Sequence, residues 1–274
     1  MSNLVKRILT GIVFLAVLIG GIMYNQYTFG GLFFLIMLLS LNEFYTLLQK
    51  KTGTPQRELG LILGSVIYVT NYALATELYD FKILLINLPL LFLVFLHELF
   101  MDNRNPFRNI AYTFTGLIYV AIPFSILPYV YTFPEIHLTG VASPAFIMGA
   151  FMVLWANDIM AFIVGSLFGR TKLFERISPK KSWEGAIGGA IGGWAIAYVC
   201  SMLFHQFQFI EWAGLATIVV VFGTIGDLVE SMFKRALNIK DSGNILPGHG
   251  GMLDRFDGIL IASPFILAYL ILIS

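Results

Sequence analysis

The chain has 274 residues, of which 58% are apolar and only 12% charged, a composition that excludes a water-soluble globular domain. With a mean hydropathy of +0.81, the chain must use lipid as its solvent. Cys200 is the only cysteine, which excludes an internal disulfide and a thiolate metal cluster; it reads as packing.

Apolar stretches long enough to cross a bilayer, which takes about 20 residues, recur along the whole length with short polar breaks. Long Leu, Ile and Phe runs favour helices over the short alternating segments of a transmembrane barrel. The expected spans are 8 to 24, 29 to 48, 59 to 75, 83 to 100, 110 to 131, 145 to 168, 184 to 204, 212 to 233 and 259 to 273. The fold class is therefore all-α, a polytopic transmembrane helix bundle of about nine spans, with 1–274 as a single integral membrane domain. Within it, 1–140 holds N-terminal helices and 141–274 the catalytic helices with their loops.

Charge tests that count, because cytoplasmic loops of helical membrane proteins carry an excess of Lys and Arg. With the N-terminus inside, the inner segments hold Lys6, Arg7, Lys50, Lys51, Arg57, Arg104, Arg108, Arg170, Lys172, Arg176, Lys180, Lys181, Lys234, Arg235, Lys240 and Arg255. Lys82 alone falls outside, and the C-terminus is then external. The net charge of +1 hides a basic cytoplasmic face.

In the first five spans the polar residues Asn42, Glu43, His97 and Glu98 sit near the cytoplasmic ends and read as interfacial. From residue 155 onward polar residues enter apolar helices, which is costly unless they face a cavity, a partner or a metal. Asn157 and Asp158 lie in the sixth span, followed by Ala161, Gly165 and Gly169, small residues that admit a close neighbour. In the eighth span Asp227, Glu230, Ser231 and Lys234 share one helix face. Glu230 reads equally well as a partner of Lys234 or as part of a site, whereas Asp227 has no local cation and reads as functional.

The loop at 169–185, GRTKLFERISPKKSWEG, carries five basic residues. Positive-inside topology explains Arg170, Lys172 and Arg176. In SPKKSWEG, Ser178 and Pro179 are expected to form a turn, and Lys180 and Lys181 beside the helix opened by Trp183 form a phosphate-binding corner. Gly185, Gly188, Gly189, Gly192 and Gly193 then give three overlapping GxxxG spacings, which serve close packing, within the chain or in a homodimer.

The segment 231–257, SMFKRALNIKDSGNILPGHGGMLDRFD, is unusual for a connector. Its glycines let backbone approach a ligand, Lys234, Arg235, Lys240, His249 and Arg255 supply charge for phosphates, and Asp241, Asp254 and Asp257 add hard oxygen ligands. Carboxylates together with phosphate oxygens suit Mg²⁺, so metal-bound nucleotide is the inference.

This segment resembles the signature of the phosphatidate cytidylyltransferase (CDP-diacylglycerol synthase) family, S-x-x-K-R-x4-K-D-x-G-x2-L-P-x-H-G-G-x-x-D-R-x-D. Ser231, Lys234, Arg235, Lys240, Asp241, Gly243, Pro247, His249, Gly250, Gly251, Asp254, Arg255 and Asp257 fill it without a gap. SPKKSWEG resembles a second marker, SPKKTWEG, with Ser182 as the departure.

The resemblance implies transfer of CMP from CTP to phosphatidic acid, giving CDP-diacylglycerol and pyrophosphate, in a bacterial inner membrane with the site facing the cytoplasm. It implies Mg²⁺ at Asp227 and Asp254, with K⁺ as a candidate second ion. Asp227, Asp254, Lys240, His249 and Arg255 are the expected catalytic residues. Ser178, Lys180, Lys181, Ser231, Lys234, Arg235, Asp241, Gly250, Gly251, Asp257 and Asp158 are expected at the substrates. His249 either contacts phosphate or orders its loop by a hydrogen bond. No nucleic-acid partner is expected. A different acceptor lipid stays open as an alternative, and a transporter for a phosphorylated solute is the reading from another class.

Overall fold

The computed structural model describes residues 3–101, 105–133, 143–204, 207–243, 245 and 250–273. The chain divides into two compact units, one of 1–132 with 237–256 and one of 133–236 with 257–274.

The first unit is helical. α1 (Asn3–Tyr24) and α2 (Gln26–Lys51) are separated at Asn25, whose side chain accepts the N–H groups of Tyr27 and Thr28 in a capping box. α3 (Arg57–Ala75) follows, then a 3₁₀ turn (Phe81–Ile86) running into α4 (Asn87–Leu99). α5 (Pro106–Gly116) passes through a π turn (Leu117–Ala121) into α6 (Ile122–Thr132). Pro123 lacks the N–H that would continue the α ladder, which accounts for a wider turn just before it. Tyr45 ties these helices together: its hydroxyl donates to the Thr113 carbonyl at 2.7 Å, and its ring fills the space left by Gly60 and Gly116.

The expected interfacial placement of the polar residues in this unit is corrected by burial. Glu98 is 4% exposed, and its two oxygens accept Gln56 Nε2 at 2.7 Å and Asn109 Nδ2 at 2.8 Å. Glu43 is 6% exposed. Buried carboxylates this deep persist only with partners, and the reading of helix-end residues facing headgroups fails for both. Asn42 accepts Arg57 Nε at 2.8 Å.

In the second unit, α7 (Ala145–Phe168) leads to a hairpin of β1 (Lys172–Phe174) and β2 (Ser178–Ser182), then α8 (Trp183–Leu203), α9 (Phe209–Ala236) and α10 (Leu253–Ile273), which joins this unit from Asp257. The strands are antiparallel, Lys172 opposite Ser182 and Phe174 opposite Ser178. Ser178 and Pro179 therefore lie in a strand, and the turn expected there falls at 175–177. A two-stranded edge tolerates the missing N–H of Pro179.

Small residues set the helix spacing here. A Cβ on Gly185 would meet the Ala161 carbonyl at 2.9 Å and Gly165 Cα at 3.2 Å, so α7 and α8 touch through backbone. Gly193 faces Val153 and Val220 in the same chain. Cys200 is buried, as expected of a packing residue.

Among the described residues, eight helical stretches are long and apolar enough to cross a membrane, and α1 adds the shorter apolar run Ile8–Tyr24. The chain is an all-α polytopic membrane protein, and the expected number of about nine spans agrees with these eight plus α1.

Candidate active site

In the second unit, the start of α8 is built by the hairpin. Ser182 caps the helix, its hydroxyl accepting the Gly185 N–H at 3.1 Å, and Glu184 in the first turn accepts the N–H groups of Arg170 and Thr171, each at 3.1 Å. The Trp183 N–H donates to the Thr171 carbonyl at 2.9 Å, closing β1 onto the helix. This fixes Lys180 and Lys181 at the end of β2, beside the helix N-terminus.

Both lysines line a cavity of about 350 Å³ together with Asn157, Asp158, Gly165 and Asp227. Gly165 lies along it because a side chain there would fill the gap between α7 and α8. Lys181 Nζ is 2.6 Å from Asp227 Oδ2, a pair with side chains 28% and 39% exposed. The cation that the sequence near Asp227 lacks thus comes from β2. Lysines at a partly apolar wall suit a phosphorylated ligand, and aspartates beside them suit a cation that accompanies it.

Lower on the same face of α9, Ser231 Oγ donates to Asp227 Oδ1 at 3.2 Å and Lys234 pairs with Glu230, as one of the two sequence readings had it. Asp227, Glu230 and Asp257 each offer a carboxylate oxygen within 4.8 Å of the others. Gly226 makes this possible: a Cβ there would run into the Asp257 carbonyl and Gly258, so α9 and α10 approach through backbone. Arg235 Nε donates to the Ile177 carbonyl at 3.5 Å, at the hairpin turn, and Ser178 does not line the cavity.

In the first unit the signature segment folds around Asp254, near the head of α10. Its carboxylate accepts the Ser242 N–H at 3.0 Å and the Gly251 N–H at 2.8 Å. Gly250 has φ +85°, and a Cβ there would fall 2.6 Å from Asp254 Oδ2, so this position requires glycine. Lys240, Asp241 and Arg255 are exposed on this segment. His249 lies outside the described residues. Phe256 anchors the segment among Phe14, Phe33 and Phe124, with ring centroids 5.6–6.1 Å apart.

Glu43 is the residue that sequence reasoning missed here. Its Oε2 accepts the Leu253 N–H at 3.0 Å and Ser242 Oγ at 3.4 Å. The capping role of Ser182 was also missed; a serine just ahead of Trp183 and Glu184 is the N-cap signal that marks it.

The chain is thus an integral membrane protein whose cavity gathers Lys180 and Lys181 with Asp158 and Asp227. The chain belongs to the cytidylyltransferase family, whose model matches residues 5–273. It is 39% identical over 182 residues to a phosphatidate cytidylyltransferase of Staphylococcus saprophyticus, and 37% identical over 182 residues to that of Staphylococcus haemolyticus. Each alignment covers 66% of this chain and 66% of the relative, so the matched part spans just under two thirds of these relatives' length.

Proposed function

We propose that this chain is a phosphatidate cytidylyltransferase, transferring CMP from CTP to phosphatidic acid to give CDP-diacylglycerol and pyrophosphate. The observation that carries this reading is the cavity lined by Lys180 and Lys181, in which Lys181 pairs with Asp227, in a chain of the cytidylyltransferase family. The names of its bacterial relatives support the lipid acceptor. The site faces the cytoplasm of a bacterial inner membrane, a reading supported by the concentration of Lys and Arg in alternate loops.

A phosphate oxygen of the lipid attacks the α-phosphorus of CTP, and the bond from that phosphorus to the oxygen bridging to the β-phosphorus breaks, releasing pyrophosphate. Phosphatidate is ionised at neutral pH, so no side chain has to remove a proton from the nucleophile. The protein's work is alignment and neutralisation of charge. Lys180 and Lys181 neutralise phosphate oxygens in the cavity, and Lys240 and Arg255 do so from the signature segment. The oxygen donors Asp227, Glu230 and Asp257 of the second unit suit a hard divalent cation, and Asp227 is the proposed ligand among them. Mg²⁺ bound there would polarise phosphate oxygens.

Purified protein given labelled CTP, Mg²⁺ and phosphatidic acid should move label into the lipid extract in a CTP-dependent manner. No such labelling, with folded protein present, rejects the transferase; label carried instead across a sealed vesicle favours a transporter.

A further inference from the structure

Glu43 is separated from the signature segment by about two hundred residues, yet it grips both stems of the loop. Its Oε2 takes the Ser242 hydroxyl on one stem and the Leu253 N–H, the first of α10, on the other. The glycines of the signature are shaped to this carboxylate. A Cβ on Gly243 would fall 2.8 Å from Glu43 Cδ, and one on Gly251 would fall 2.5 Å from Glu43 Oε2. Ser242 is 3% exposed and Leu253 4%, so neither donor has water as an alternative partner.

A helix cap alone would need only the Leu253 bond. The second bond joins segments eleven positions apart in sequence, Ser242 and Leu253, and the Asp254 carboxylate makes a parallel join from the Ser242 N–H to the Gly251 N–H. Two acids therefore join the same two stems, Asp254 through backbone N–H groups and Glu43, from α2, through the Ser242 hydroxyl and the Leu253 N–H.

We propose that Glu43 is a positioning residue of the transferase: by bridging Ser242 and Leu253 it holds the two stems of the signature segment together, so that Lys240, Asp241 and Arg255 are presented to the CTP phosphates. The CTP part of this statement rests on the function proposed above; the joining of the stems does not.

The test reads both. In wild-type protein and in Glu43→Ala, Glu43→Gln and Ser242→Ala variants, hydrogen exchange of the 240–255 amides is measured in detergent, alongside KM for CTP and for phosphatidic acid. Glu43→Ala should speed exchange at 242–253 by about tenfold or more while the amides of α7 keep their wild-type rates. The same variant should raise KM for CTP by about tenfold, with KM for phosphatidic acid within about twofold of wild type. Glu43→Gln keeps an acceptor carbonyl in place and should hold both readouts close to their wild-type values. A purely structural glutamate would instead speed exchange throughout the unit, or lower the yield of folded protein without changing KM for CTP.

Wild-type exchange at 242–253 in folded Glu43→Ala overturns the proposal. If that variant does not fold, Ser242→Ala decides: it should loosen the 240–245 stem, and wild-type exchange there is refuting. Should the wild type label no lipid, the transferase reading falls, while the exchange data still decide the joining of the stems.

Discussion

Gly226→Ala tests whether the contact between α9 and α10 in the second unit sets the acidic cluster. The new Cβ would lie 3.0 Å from Gly258 Cα and 3.1 Å from the Gly258 carbonyl oxygen, and closer still to the Asp257 carbonyl. Carbon atoms pack at about 3.5–4.0 Å, so roughly 0.5–1 Å must be found. All the atoms met are backbone, so no rotamer change supplies it and the helices must part. Overpacking of this kind costs about 1–3 kcal/mol. Asp227 is adjacent to Gly226 on α9, and Asp257 is adjacent to Gly258 on α10, so the same displacement spreads carboxylates now within 4.8 Å of one another. Ligand distances in metal sites hold to about 0.2 Å, and disturbance of their support costs about 10–100-fold in metal affinity. We therefore expect the Mg²⁺ concentration for half-maximal CTP-dependent labelling to rise by about 10–100-fold, with a lower melting midpoint in detergent. Gly223→Ala is the control, because its Cβ meets the end of the Leu154 side chain, which can move. Wild-type Mg²⁺ dependence and midpoint in Gly226→Ala would refute this account of the cluster.

Lys181→Met removes the cation beside Asp227; because the pair is partly exposed, stability should change by no more than about 1 kcal/mol, while KM for CTP rises by about tenfold or more, measured by steady-state labelling. Ser182→Ala loses the cap of α8 and should cost about 1 kcal/mol in a denaturation series, with Ser182→Thr retaining most of it. Asp227→Asn and Asp254→Asn should each lower labelling by about 100-fold or more in protein that elutes as wild type by size exclusion, and retained activity in both would move the metal elsewhere. Gly31→Ala places its Cβ in open space on α2 and should be neutral or stabilising by about 0.5–1 kcal/mol in thermal melts.

What was legible in the sequence is what is encoded locally. The spans follow from runs of apolar residues, the face shared by Asp227, Glu230 and Ser231 follows from helical periodicity, and the glycines of α8 follow from their spacing; each rests on neighbours within a few turns. The hairpin was half legible: Lys180 and Lys181 were placed beside a helix N-terminus, but Pro179 suggested a turn because proline disfavours central strands, a rule that an edge pairing does not obey. The partner of Asp227 was not legible, since Lys181 reaches it from another element.

Glu43 marks the limit most sharply. A glutamate near the end of an apolar helix has a sufficient explanation in the headgroup layer, and nothing in its own neighbourhood distinguishes that case from burial. The distinguishing signal lies about two hundred residues away, in a segment where Gly243 and Gly251 leave room for a carboxylate that their own stretch does not supply, Asp254 being already engaged with the Ser242 and Gly251 N–H groups. Glycines in a binding loop are ordinarily credited to a ligand's approach. Here two of them, Gly243 and Gly251, admit a side chain of the protein itself. The helices that hydropathy alone describes as anchoring thus contribute an acid that bonds both stems of the signature segment, at Ser242 and at Leu253.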